Sequence, residues 1–273
     1  MTSTVTKAVI LARGLGTRMR ANDGSPDPTH NSAAVNAGAK GMIDVGRPFL
    51  DFVISALADV GITDVCLVIG PEHNIFRDYY DNLELKRVRI HYAIQADPLG
   101  TANALAAAAE FAGQDRVVVL NSDNYYPIEA LKSLVELPGA GVVGFKREAL
   151  IAKSNIPAER IAAFAVISVD EQGNLSDIIE KPSPAELERL GSHAPISMNA
   201  WLFTPDIFPA CADIDKSVRG EYELVDAVRL ARSRGRSFRV TPAAPGVTPP
   251  PPLAVAYGCH ISVGNNVFIN FGL

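Results

Sequence analysis

Apolar and polar positions in this chain come in blocks rather than one by one. Residues 8–11 (Ala-Val-Ile-Leu), 65–69 and 116–120 are short apolar runs rich in β-branched side chains. Such runs predict strands buried on both faces. Residues 89–94 and 140–145 read as two further strands. Between the strands the period changes. Phe49, Phe52, Val53, Ala56, Leu57 and Val60 recur at helical spacing behind Pro48, with Gly61 as the stop. Residues 101–111, dominated by alanine, and residues 127–136 also read as helices. Strands alternating with helices predict an α/β fold, a three-layer Rossmann-like sandwich with a mostly parallel central sheet.

The texture shifts near residue 161. Residues 163–169 and 175–179 read as a hairpin around the turn 170–174. A strand over 196–204, a helix over 223–234 stopped by Gly235, and a short strand over 237–240 follow. Residues 21–38, rich in Asn, Asp, Ser, Pro, Ala and Gly, read as a long surface loop. Residues 241–252 contain six prolines and read as a linker. The expected organisation is therefore a domain over 1–240, a linker over 241–252 and a tail over 253–273.

Composition narrows the class. With 273 residues, 48% apolar and 20% charged, the chain predicts one large globular domain, alone or with a small appendage. A net charge of −5 argues against a broad nucleic-acid footprint. No apolar stretch reaches spanning length, and the N-terminus lacks a signal-peptide core, so no membrane partner is expected. Cys66, Cys211 and Cys259 are widely separated with no C-x-x-C pair, which predicts a reducing, cytoplasmic setting. A homo-oligomer is left open.

Chemistry concentrates where strands end, as α/β folds require. After the first strand come Gly14 and Gly16, then Thr17, Arg18 and Arg20. This reads as an anion nest with cations for phosphate, or as a plain glycine turn with solvated arginines. The third glycine of a dinucleotide fingerprint is absent, because Met19 stands there. Asp123, after the 116–120 strand, reads as a turn aspartate or a metal ligand. The five histidines show no metal spacing.

Several separated motifs occur together, in one order. They are Leu11-Ala12-Arg13-Gly14-Leu15-Gly16-Thr17-Arg18-Met19, then Ala39-Lys40-Gly41-Met42, then Gln95 with Pro98-Leu99-Gly100-Thr101-Ala102. Asn121-Ser122-Asp123-Asn124, Glu180-Lys181-Pro182 and Gly220-Glu221-Tyr222-Glu223-Leu224 follow. On these motifs, residues 5–240 resemble the nucleotidylyltransferases that act on sugar 1-phosphates. The resemblance implies a nucleotide-diphospho-sugar transferase fold. It also implies transfer of a nucleotidyl group from a nucleoside triphosphate to a sugar 1-phosphate, with Mg²⁺ as cofactor and pyrophosphate as second product. It assigns Arg18, Lys40 and the metal ligand Asp123 to catalysis. Ala12, Gly14, Gly16, Thr17, Gln95, Gly100 and Thr101 would hold the nucleotide, and Glu180, Lys181, Asn199 and Glu221 the sugar phosphate.

The chain also departs from the family pattern. Arg13 stands where a small residue is usual, and Ala39 where proline is usual. Residues 241–248 contain no acid where the family carries a second metal-binding aspartate. That absence favours an alternative reading, a nucleotide-sugar-binding or regulatory protein with impaired turnover. A related glycosyltransferase is a further alternative, against which the glycine-rich loop argues. Residues 257–270 resemble the opening of a left-handed β-helix of the sugar O-acetyltransferase type.

Overall fold

The computed structural model describes residues 4–14, 32–153, 161, 164–191 and 193–242. Nine strands form one sheet: β1 (Lys7–Leu11), β2 (Asp64–Ile69), β3 (Arg89–Ile94), β4 (Val117–Asn121), β5 (Gly141–Phe145), β6 (Ala165–Val169), β7 (Leu175–Ile179), β8 (Ile196–Phe203) and β9 (Arg239–Pro242). The order across the sheet is β3-β2-β1-β4-β8-β5-β9, with the β6–β7 hairpin attached to β8 through β6. The strands β1 to β4 run parallel in unbroken register. β8 enters antiparallel to both β4 and β5, so the sheet is mostly parallel, as the apolar runs predict.

Those runs are continuous because both sheet faces are covered. Ala8 and Ile10 of β1 join a buried cluster with Phe49, Leu50, Val53 and Leu57 of the helix Phe49–Asp59. Val9, between them in sequence, joins a second cluster with Leu105, Ile207, Leu224 and Val228 on the opposite face. Period-two side chains thus serve two cores from one strand. Each fully buried leucine or phenylalanine contributes about 1.5–3 kcal/mol relative to exposure. Trp201 of β8 anchors the second core, stacked on Phe203 with 5.3 Å between centroids and meeting Phe238 edge-on.

Several elements differ from expectation. Residues 32–37 of the expected loop form the helix Ser32–Ala37. The expected helix over 101–111 is two helices, Thr101–Ala107 and Ala109–Ala112, which meet at Ala108. The last strand runs to Pro242, two residues into the stretch expected as linker. Pairing explains that extension: Val143 and Gly144 of β5 take Thr241 and Pro242 as parallel partners, and the edge position tolerates proline. Four helices carried no expectation: Asn74–Tyr80, Arg147–Lys153, Pro184–Leu190 and Ile207–Asp213. Residues 243–273, including the rest of the expected linker and the tail, lie outside the described residues.

Candidate active site

The carboxyl ends of β1 and β4 lie side by side, with Leu11 paired to Asn121. Pairing continues past the strands: Ser122 N–H donates to the Leu11 carbonyl at 3.2 Å, and Ala12 N–H to the Val68 carbonyl at 2.9 Å. Two chemically distinct loops therefore leave the sheet at one place. Ala12 is buried, whereas Gly14 is exposed, with nothing among the described residues within 4 Å of where a Cβ would sit. Gly16, Thr17 and Arg18 lie outside the described residues.

Lys40 reaches this place from the short 3-10 helix Lys40–Met42. A Cβ on Gly41 would lie 3.2 Å from the Ser122 carbonyl oxygen, so glycine lets the turn pack against the β4 loop. The Lys40 ammonium then sits 3.1 Å from Asp123 Oδ2, with both side chains about a quarter exposed. Ala39, in place of the family's proline, is fully buried, and its N–H donates to the Ala34 carbonyl. A proline could not make that bond. His73 braces the same segment: its Nε2–H donates to the Ala37 carbonyl at 3.0 Å while Nδ1 accepts from Gly70 N–H.

On the other side of Asp123 the strand β8 is bulged. Val142 faces Trp201 and Gly144 faces Ser197, so residues 198–200 oppose the single residue Val143. The bulge is tied to the Asp123 loop, because Tyr126 OH donates to the Met198 carbonyl at 2.6 Å. Asn124, beside Asp123, also donates from Nδ2 to Tyr126 Oη and the Met198 carbonyl. Its Oδ1 is buried without a partner among the described residues. Asn199, at the centre of the bulge, has φ +57° and accepts from Trp201 Nε1–H at 3.3 Å. Among the described residues Asn199 and Lys181 (φ +47°) are the non-glycine residues with positive φ. Such backbone costs about 1–3 kcal/mol and persists where a site needs it.

The third group gathers around Gly100. Gly100 has φ +110°, and a Cβ there would lie 2.5 Å from the Tyr222 carbonyl oxygen and 2.8 Å from its nitrogen. Only glycine fits both constraints. The close approach lets Tyr222 N–H donate to the Leu99 carbonyl and Ala102 N–H to the Tyr222 carbonyl. Thr101 Oγ1 accepts from Leu224 N–H at 2.9 Å, capping the first turn of the helix Leu224–Ser233. Gln95 is 3% exposed, and its Nε2 donates to the Gly100 carbonyl and to Asn103 Oδ1. It braces the loop from beneath.

Glu221 is half-buried in the same segment, while Glu223 is held by Arg219 and Ser217. Glu180, at the end of β7, is exposed. Partial desolvation raises its pKa, reinforced by Glu223 and Asp226 and opposed by Arg219 and Lys181. The structure thus joins Lys40 to Asp123, Asn199's bulge to the Asp123 loop, and Gln95, Gly100 and Thr101 to the 221–224 segment. Asn103 and Tyr222 belong to these contacts, and Arg13 donates to the Gln95 carbonyl, but none of the three carried a site expectation. The one signal was Arg13, a cation in place of a small residue.

A match to the nucleotidyl transferase family model covers residues 7–240. The chain belongs to the nucleotidyl transferase family. Members similar to it include a low-salt glycan biosynthesis nucleotidyltransferase of Haloferax volcanii, 30% identical over 82% of this chain and 56% of that protein. A UTP–glucose-1-phosphate uridylyltransferase of the same organism is 29% identical over 85% of this chain and 86% of the relative. A glucose-1-phosphate thymidylyltransferase of Streptomyces griseus is 29% identical over 86% and 59%. The chain therefore spans little more than half the length of the first and third relatives. The fold matches that of a UDP-glucose pyrophosphorylase solved with UDP-glucose, with a TM-score of 0.67, 17% identity, and 87% and 90% of the two chains covered. Among the described residues no helix is long and apolar enough to cross a membrane. Cys66 and Cys211 are buried and unbonded, each thiol pushed up to about 12 by burial.

Proposed function

We propose that this chain transfers a nucleotidyl group from a nucleoside triphosphate to a sugar 1-phosphate, releasing pyrophosphate. The observation that carries the reading is the Lys40–Asp123 pair, set beside the Gly14 loop at the carboxyl ends of β1 and β4. The names of the relatives make UTP or dTTP with glucose 1-phosphate the first substrates to test. In the reaction a phosphate oxygen of the sugar 1-phosphate attacks the α-phosphorus. One P–O bond forms, the α–β P–O bond breaks, and pyrophosphate leaves with the electron pair.

Both reactants are polyanions, so bringing them together is opposed by Coulomb repulsion, and catalysis is mainly positioning and charge neutralisation. Lys40 supplies a point charge to the polyphosphate, and Arg18, four residues after Gly14 in the sequence, a second cation. The exposed backbone at Gly14 offers N–H groups without side-chain interference. Lys181 and Asn199 address the sugar phosphate, and Glu180 and Glu221 offer acceptors to sugar hydroxyls.

The donor set fits a hard divalent cation anchored by one carboxylate, with phosphate oxygens and water completing its shell. Among the described residues no three His, Cys, Asp or Glu side chains converge to hold a metal alone. Asp123 would hold the ion, Mg²⁺ being the expected one, while a phosphate takes its place at Lys40. The ion would neutralise charge on the triphosphate. The test is pyrophosphate release with each nucleoside triphosphate against a panel of hexose 1-phosphates. One preferred pair with stoichiometric nucleotide sugar is expected; no turnover with any pair, in folded protein, overturns the reading.

A further inference from the structure

Arg13 immediately precedes Gly14 of the phosphate loop, yet its side chain turns away into the protein and is 7% exposed. One terminal nitrogen donates to the Gln95 carbonyl. The other lies 3.3 Å from Glu72 Oε1 and 3.4 Å from Oε2. Glu72, half exposed, lies across Gly70: a Cβ there would lie 2.5 Å from the Glu72 carboxylate oxygens, which would have to shift. The Arg13 Nε is buried without a partner among the described residues. A buried guanidinium held on one peptide carbonyl and one carboxylate is a rigid fork, unlike a solvated surface arginine.

The carbonyl it grips is well placed to transmit position. Gln95 N–H donates to the Ile69 carbonyl at 2.9 Å, continuing the β2–β3 ladder. Its side-chain amide is oriented by chemistry, since the Gly100 carbonyl can only accept and so faces Nε2. Gly100 in turn seats against Tyr222. A continuous chain of contacts runs from the first residue of the phosphate loop, through Gln95, to Gly100 and the 221–224 segment.

We propose that Arg13 is a positioning residue that couples the phosphate loop to the 95–101 stretch and thereby sets nucleotide affinity and base preference. The proposal rests on the nucleotidyl-transfer reading. It does not place Arg13 on substrate or reacting atoms, so nucleotide binding should change while the sugar 1-phosphate site and the chemical step are spared. Lysine cannot replace it fully, because one ammonium cannot match the planar fork across carbonyl and carboxylate.

The test compares wild type, Arg13→Ala and Arg13→Lys in pyrophosphate release with UTP, dTTP, ATP and GTP. Titration calorimetry with the same nucleotides, without sugar 1-phosphate, reads affinity apart from turnover. Loss of a charge-assisted bond predicts a rise of about tenfold in nucleotide KM and Kd for Arg13→Ala. The preference among the four nucleotides should narrow, with kcat and sugar 1-phosphate KM within about twofold of wild type, and Arg13→Lys should fall between. Wild-type nucleotide affinity and preference in Arg13→Ala, or a fall in kcat alone, overturns the proposal. If Arg13→Ala does not fold, Arg13→Lys decides by the same readouts. A wild type that binds nucleotide but never releases pyrophosphate overturns nucleotidyl transfer instead, and calorimetry still decides the role of Arg13.

Discussion

The two halves of the sheet are built in different ways. In the half formed by β3, β2, β1 and β4, all strands are parallel and the registers are unbroken. In the other half β8 runs antiparallel, the register slips on β8 and again in the β6–β7 hairpin, and Lys181 and Asn199 adopt left-handed backbone. On the proposed reading the first half presents backbone, with Gly14 open to approach and Gly100 packed closely against Tyr222. On the proposed reading the second half presents the side chains of Lys181 and Asn199, both on left-handed backbone. A nucleotide has a flat base and a chain of phosphates that backbone N–H groups can follow. A sugar phosphate has hydroxyls in fixed directions, which call for individually placed side chains.

The largest expected effect falls where the halves join. Asp123→Asn should lower pyrophosphate release by about 10²–10³-fold, the usual cost of losing a group that stabilises developing charge. Its pairing with Lys40, still about a quarter exposed to water, contributes little to folding, so stability should move by less than about 1 kcal/mol. A collapse of stability instead of activity would make the pair structural and erase the distinction. Next come the two glycines of the nucleotide half. Gly100→Ala adds a strained φ and a clash with Tyr222, and should cost about 3 kcal/mol in chemical denaturation. Gly14→Ala meets no neighbour among the described residues and should leave stability within about 0.5 kcal/mol while weakening nucleotide binding. Equal stability losses at both positions would contradict the separation of fold from ligand.

The same division governs what could be read from sequence. The parallel half was legible, since strands buried on both faces are uninterrupted apolar runs, and β3 begins and ends where its pattern predicts. The helices Asn74–Tyr80, Pro184–Leu190 and Ile207–Asp213 are seven residues each, too short for a helical period to show. One of them still carried a signal: Ser183, Pro184 and Glu186 form a capping box with proline in the first turn. Lys40, Asp123, Gly100 and Thr101 could be located as motifs, and the contact between Lys40 and Asp123 needed the fold. No local pattern announces the backbone of Asn199, because it follows from the bulge where β8 pairs with β5. Arg13 was visible as an oddity, but its partners Glu72 and Gln95 are distant in sequence.

A smaller effect tests whether strain in the second half serves the sugar phosphate. Lys181 is exposed at φ +47°, where glycine is at ease. Lys181→Gly should leave stability unchanged or raise it by up to about 1 kcal/mol, because glycine relieves the strain but adds entropy to the unfolded chain. The KM for sugar 1-phosphate should rise about tenfold, as expected for one charge-assisted phosphate contact, with nucleotide KM unchanged. Lower stability without a change in KM would mean that the conformation serves the fold.

The smallest effect lies at the amino ends of the parallel strands, away from the site. Asp64 of β2 accepts from both Arg89 Nε and Nη2 at 2.8 Å and contacts His91 Nε2 at 3.0 Å. The Arg89 guanidinium holds its carboxyl well below the usual carboxylate range; burial opposes this, and His91 and Thr63 reinforce it. A carboxylate with a lowered folded pKa stabilises fully above its unfolded value of about 3.9, and that stability is lost as pH falls toward the folded value. Wild-type urea midpoints should therefore decline below pH ~4 more steeply than those of Asp64→Asn, with equal kcat at neutral pH. Because Arg89 is largely exposed, solvent screening keeps the difference small. Parallel acid limbs in the two proteins would show that the pair adds nothing to the regular half, leaving apolar burial on its two faces to hold β2 and β3 in register.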